Sequence, residues 1–222
     1  MDPMLDTRTT ILRIGLHPNP LSRLKVASVL PFTLQPGMFL TPYPQTRRGR
    51  RIARIDRRAA QRFLRRLTGK KTKITTSYSH ILWVYCVWGD GTVFVAEQCE
   101  HGIRVRPLLS GEFVCDVYDW EKPLTVADLK KIRAWWDNNE GKPYGHFHLL
   151  RLIWWSILGS LLPVNYEKVA LTGSGTVCVT ACDNACLEAK RNVWKRLPPN
   201  IMAINVFVRS PQLKLVCKGY TP

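Results

Sequence analysis

The sequence predicts an α+β domain in which an antiparallel sheet packs against a cysteine-rich helix. Two stretches carry most of that prediction. Tyr78–Trp88, then Gly-Asp-Gly, then Thr92–Gln98 reads as a hairpin, because both arms are rich in β-branched and aromatic residues and Asp-Gly favours a tight turn. From Thr176 onward Val177, Ala181, Ala185 and Ala189 lie four apart, beside a row of Cys178, Cys182 and Cys186, which is helical spacing. The chain has 222 residues, 45% of them hydrophobic, enough to bury a sizeable core and too apolar for a disordered tail.

In chain order, residues 1–33 form an arm, marked by Pro18 and Pro20. Pro36-Gly37 sets a turn into a first strand at Met38-Phe39-Leu40. Residues 47–73 read as a basic amphipathic insertion. Ile52, Ile55, Ala59, Ala60, Phe63, Leu64 and Leu67 recur at helical spacing over about four turns, and Thr68-Gly69 closes the helix. After the hairpin, Gly102–Leu108 and Val114–Val117 supply a third and a fourth strand. Thr125 caps a helix through Leu129, Ile132, Trp135 and Trp136 that ends near Gly141. Phe147–Leu162 reads as a buried helix, with a helix lying in a membrane interface as the other reading; its uncharged run is far short of the roughly 20 residues of a membrane span. The cysteine helix continues to about Arg196. Asn205–Val208 is expected to be a last strand, and residues 217–222 a tail.

Charge is the imbalance in this composition. Lys and Arg number 33 against 16 Asp and Glu, a net +17. Residues 47–73 hold thirteen of those cations and one acid, Asp56. Arg47, Arg48, Arg50, Arg51, Arg54, Arg57, Arg58, Arg62, Arg65 and Arg66 make this helix either a solvated face or a docking face for a polyanion: nucleic acid, an anionic surface or an acidic partner. No aromatic residue interleaves them on the polar face, so stacking on single strands is not indicated. Seven cysteines without regular spacing argue against a disulfide framework, and no second pair completes a zinc pattern around Cys182 and Cys186. No metal and no cofactor are called for. The first thirty residues lack the apolar run of an export signal.

Cys178 falls at the start of its helix, where unpaired N–H groups and the helix dipole favour a thiolate. The alternative is three small cysteines on a core face. A thiolate nucleophile needs an imidazole. His17 lies in the arm, His101 in a loop, and His146 and His148 on the apolar helix, whereas His80 begins a strand that can aim it rigidly. An orienting carboxylate or amide is then required. Glu97 or Gln98 supplies it, depending on whether the hairpin loop has two or three residues.

The order of Pro-Gly-Met-Phe-Leu (36–40), Ser-His-Ile (79–81), Val-Ala-Glu (95–97), Gly-Ile-Arg-Val-Arg-Pro-Leu (102–108), Gly-Lys-Pro-Tyr (141–144), the 178–190 helix and Ser-Pro-Gln-Leu-Lys-Leu (210–215) resembles the circularly permuted papain-like hydrolases of the NlpC superfamily, the YiiX-like group. The resemblance spans about residues 34–216. It implies Cys178 as nucleophile, His80 as base, Glu97 as orienting carboxylate and Tyr144 lining the cleft. Val179 and Thr180 stand where the family has Ser and Glu, and Pro-Tyr-Gly (143–145) replaces Pro-Tyr-Asp. Cys182 is the rival nucleophile. The activity implied is hydrolysis of cell-wall (peptidoglycan) peptide, with lipid acyl groups next. The alternative is an inactive scaffold component of a phage particle, with phage structural proteins as partners.

Overall fold

The computed structural model describes residues 32–71, 73–145, 177–194 and 203–222. The compact unit considered below is Leu34–Pro222. The apolar helix expected at 147–162 lies outside the described residues, as do His17, His146 and His148.

The architecture is α+β. Six strands, β1 (Phe39–Pro42), β2 (Leu82–Val87), β3 (Val93–Cys99), β4 (Gly102–Pro107), β5 (Cys115–Trp120) and β6 (Leu213–Tyr220), form one sheet in the order β4-β3-β2-β1-β5-β6. Every adjacent pair is antiparallel. The first strand thus ends up in the middle, and its four residues are all buried.

The helices are α1 (Arg47–Thr68), α2 (Val126–Asn138), α3 (Cys178–Glu188) and the single turn α4 (Ile204–Phe207). Thr125 caps α2 through a reciprocal pair: its hydroxyl accepts from Asp128 N, and the Asp128 carboxylate accepts from Thr125 N. α3 lies on the sheet because its inner face is only Ala and Cys. Ala181, Cys182, Ala185 and Cys186 join one core with Trp83 of β2, Ala96 of β3 and Trp136 of α2. The Trp83 and Trp136 rings stack 6.4 Å apart. Each large side chain buried in this way contributes roughly 1.5–3 kcal/mol.

Four expectations are corrected. α1 has 22 residues, about six turns rather than four, because Thr46 caps it ahead of the apolar stripe by accepting from Gly49 N. Its acid, Asp56, points inward and accepts from Ile204 N, Asn205 N and Asn205 Nδ2 at 2.7, 3.1 and 2.6 Å. Asn205–Val208 is therefore not a strand. Ile204–Phe207 form a helical turn whose first amides are held by Asp56; a short, wholly buried apolar run has no period to separate the two forms. α3 stops at Glu188, not near Arg196. Lys190 takes a left-handed φ of 57°, and Arg191 turns back to pair with Asp128 at 2.7 Å. Finally, Cys217–Tyr220 are not tail but the end of β6.

Candidate active site

Cys178 is the first residue of α3, after Val177 in extended conformation. No side chain caps the helix in the usual way. Instead Thr180 reaches back: its hydroxyl oxygen accepts from Val177 N at 3.0 Å and donates to Val177 O at 3.0 Å. This is the backward half of a capping box, with Thr where Glu or Gln usually stands. Cys178 is 6% exposed.

His80 does not begin a strand. It lies two residues before β2, in the irregular segment that follows α1. Pairing of β1 with β2 reaches only Leu40 opposite Leu82, after which the chain peels away. Tyr78 explains the departure. It is fully buried, and its hydroxyl donates to Asp116 Oδ2 at 2.6 Å, while Tyr43 donates to Asp116 Oδ1 at 2.5 Å. Arg209 braces the same segment by donating to Thr76 Oγ1 at 3.2 Å. His80 is thus aimed by side-chain anchors on either side of the sheet's centre rather than by a ladder.

The hairpin register decides its partner. Gly89-Asp90-Gly91 form a three-residue loop closed by Trp88 N donating to Thr92 O at 2.9 Å. That loop alone would favour Gln98. A bulge at Tyr85 shifts β2 by one residue, so that Trp83 faces Ala96, and Glu97 comes to His80. His80 Nε2 and Glu97 Oε2 are 2.9 Å apart. Gln98 instead donates to Lys142 O at 3.3 Å. Nε2 is engaged by Glu97, and Cys178 lies near enough to His80 to bear on the charge of its ring. Burial alone would lower the His80 pKa; Cys178 and Glu97 outweigh it and push it up to about 10.

Glu97 has further partners that sequence reasoning missed. Arg104 donates to Oε1 from Nε and Nη2 at 2.9 and 2.7 Å, and Arg106 donates to the same oxygen from Nε at 2.6 Å. Arg106 also grips Glu112 with two bonds of 2.8 and 2.6 Å. Burial would raise the Glu97 pKa, but His80, Arg106 and Arg104 together hold it well below the usual carboxylate range. The signal was available. β3 and β4 pair with Glu97 opposite Arg104, so Arg104 and Arg106 in Gly-Ile-Arg-Val-Arg share its face.

Tyr144 borders the same space. Its loop is zipped to β4 by Ile103 N donating to Lys142 O and Gly141 N donating to Ile103 O, at 3.0 and 2.8 Å. The approach is so close that a Cβ on Gly102 (φ 101°) would lie 2.9 Å from Lys142 O. Burial and the nearby Cys178 push the Tyr144 hydroxyl well above its ordinary value. A cleft of about 500 Å³ is lined by His80, Glu97, Gln98 and Tyr144, with Arg48 and Ile52 of α1 on its far wall. Cys178 is not itself among the residues lining this cleft, but its charge bears on His80 and Tyr144, which are.

The rival Cys182 is a core residue, 1% exposed, with burial raising its thiol far above the ordinary value; Cys186 behaves alike. His101 is exposed and only 3.8 Å from Glu100. The ten arginines singled out in the sequence all belong to α1, and Arg48 lines the cleft of His80 and Glu97. Among the described residues no cluster of three or more His, Cys, Asp or Glu is arranged to hold a metal, and no helix is long and apolar enough to cross a membrane.

No protein-family model matches the chain, and no curated protein does. Among solved structures it is similar to the crystal structure of the metalloprotein YiiX from Escherichia coli O157:H7. The two are 15% identical, over 85% of this chain and 99% of that one, with a TM-score of 0.44.

Proposed function

We propose that this protein is a thiol-dependent hydrolase of amide or acyl-ester bonds, papain-like in its chemistry, with Cys178 as nucleophile, His80 as proton carrier and Glu97 as the carboxylate that orients the ring. The observation that carries the reading is His80 bonded to Glu97 in an open cleft, with Cys178 near enough to bear on the charge of the ring. It unites residues from three separate parts of the chain in the roles a nucleophile, base and orienting group require.

The steps follow from those roles. With the proton on His80, the Cys178 sulfur attacks the substrate carbonyl carbon and the carbonyl oxygen becomes anionic. The free N–H groups at the start of α3, that of Cys178 first, stabilise this oxygen, on the order of 3 kcal/mol for one such donor. His80 gives its proton to the leaving nitrogen or oxygen as the carbon–heteroatom bond breaks, which leaves a thioester on Cys178. Water then attacks the thioester carbon while His80 accepts its proton, and the acid is released with the thiol restored. Glu97 keeps the ring in place throughout; its ties to Arg104 and Arg106 stop it from swinging or taking up a proton.

Peptidoglycan peptides come first as substrates and lipid acyl esters second. The test is turnover of both by the intact protein and by Cys178→Ala. Loss of at least 1,000-fold is expected. Because His80 holds its proton to about pH 10 in the free protein, kcat/KM should fall on the alkaline side near that value. Turnover that survives Cys178→Ala overturns the reading. Alkylation of Cys178 no faster than that of Cys182 would leave only a scaffold, such as a component of a phage particle.

A further inference from the structure

A second surface of the molecule has different chemistry. Arg47, Arg51, Arg54, Arg58, Arg62 and Arg65 recur every three or four residues along α1, and all six are exposed. At a rise of 1.5 Å per residue they form a row about 27 Å long. The row ends in a cleft of about 520 Å³ lined by Arg58, Gln61, Arg62, Arg65, Lys71 and Lys73. Among the described residues no carboxylate lines that cleft.

We propose that this row and its terminal cleft bind the phosphodiester backbone of duplex nucleic acid without reading its sequence. Five cations around one hollow repel one another, and an anion seated there relieves the repulsion. Guanidinium forks match phosphate oxygens in pairs. A single small anion would use the cleft alone, whereas six arginines over about 27 Å fit a charge that repeats along a line, as phosphates do on a duplex.

Two features disfavour the other linear or planar anions. An amphipathic helix binds a lipid surface by burying its apolar face there. The apolar face of α1 is already used: Ala53, Ala60 and Leu64 are buried in the protein, and Asp56 ties the helix to the amides of α4. Single strands are held by base stacking on aromatic rings. No aromatic residue lines the cleft among the described residues, so the contacts available are to phosphate. Gln61 is the only uncharged polar side chain among those lining residues, too little to read bases.

The experiment is fluorescence anisotropy of the full chain with labelled 20-base-pair duplexes of two unrelated sequences, from 50 to 300 mM salt. Expected is equal affinity for both duplexes, falling linearly in log–log form with salt. The triple variant Arg58→Gln, Arg62→Gln, Arg65→Gln should bind at least 10-fold more weakly with a shallower salt slope. The matching triple Lys variant should retain most of the affinity, which separates lost charge from lost fold. Cys178→Ala should bind as the parent protein does, so this result stands apart from the hydrolase test. Affinity indifferent to the triple Gln variant, affinity flat with salt, tighter binding to a single strand of the same length, or tighter binding to phosphatidylglycerol vesicles at equal phosphate would each overturn the proposal.

Discussion

Glu97 on the sheet and Asp183 on a helix are two buried carboxylates with opposite behaviour. Glu97 on β3 is 3% exposed and Asp183 on α3 is 1% exposed. Equal burial should disfavour both charges equally. Yet Glu97 is held well below the usual carboxylate range, while burial alone lifts Asp183 to about 7. The difference lies in donors. β4 lays Arg104 and Arg106 across Glu97, and His80 completes the set. The Oδ1 of Asp183 has no hydrogen-bond partner among the described residues. A strand can deliver cations from its neighbour at fixed register. A helix face packed onto a sheet delivers only what can fit beneath it.

The largest effect expected from breaking this contrast is at Glu97. Glu97→Ala strands Arg104, Arg106 and His80 without their shared anion, and should cost about 4 kcal/mol of unfolding free energy in a urea titration at pH 7. Glu97→Gln is milder and isolates the ring: the His80 pKa should drop from about 10, read by NMR titration of the imidazole. An unmoved value would show that Cys178 alone sustains it.

Asp183 gives the opposite pH slope. Its native pKa of about 7 lies above the ordinary value of 3.8, so the native state binds the proton more tightly than the unfolded chain does. Stability is therefore lost as pH rises from about 4 to about 7, on the order of 4 kcal/mol in total. Glu97 acts in reverse: its contribution is present above the usual carboxylate range and lost as pH falls through its depressed native value. Asp183→Asn should raise the urea midpoint at pH 8 and change it little at pH 4.5. Equal midpoint shifts at the two pH values would mean that Asp183 does not titrate between them.

The smallest effect is expected at the mouth of α3. Thr180→Val removes the bond to Val177 N and should cost about 1 kcal/mol, seen as a lower melting temperature. If the melting temperature is unchanged, water replaces the hydroxyl and the cap adds nothing to the placing of Cys178.

Much of the fold was legible because it is written in short-range patterns. The Thr125 cap, the αL Gly69 that ends α1, the hairpin arms and the cysteine helix all follow from residues within one or two turns of each other. The candidate site was legible only in part. Cys178 and His80 could be singled out by position, and Glu97 could be narrowed to a choice of two. The roles of Arg104 and Arg106 are not written in the β2–β3 hairpin, because they arise from the pairing of β4 with β3. Asp56 read as the lone acid in a basic stretch, and its partners lie about 150 positions later.

The sequence by itself determined most of the helices and strands, the turn at Ile204–Phe207 and the end of β6 excepted, and where charge would concentrate. Those are matters of periodicity and composition, settled among near neighbours. Only the tertiary structure decided that a bulge at Tyr85 moves Glu97 rather than Gln98 under His80, that Tyr78 and Asp116 pull His80 out of its strand, and that the mouth of α3 meets that ring. A one-residue change in register exchanges one side chain for the next on the opposite face, and nothing local to either strand sets it.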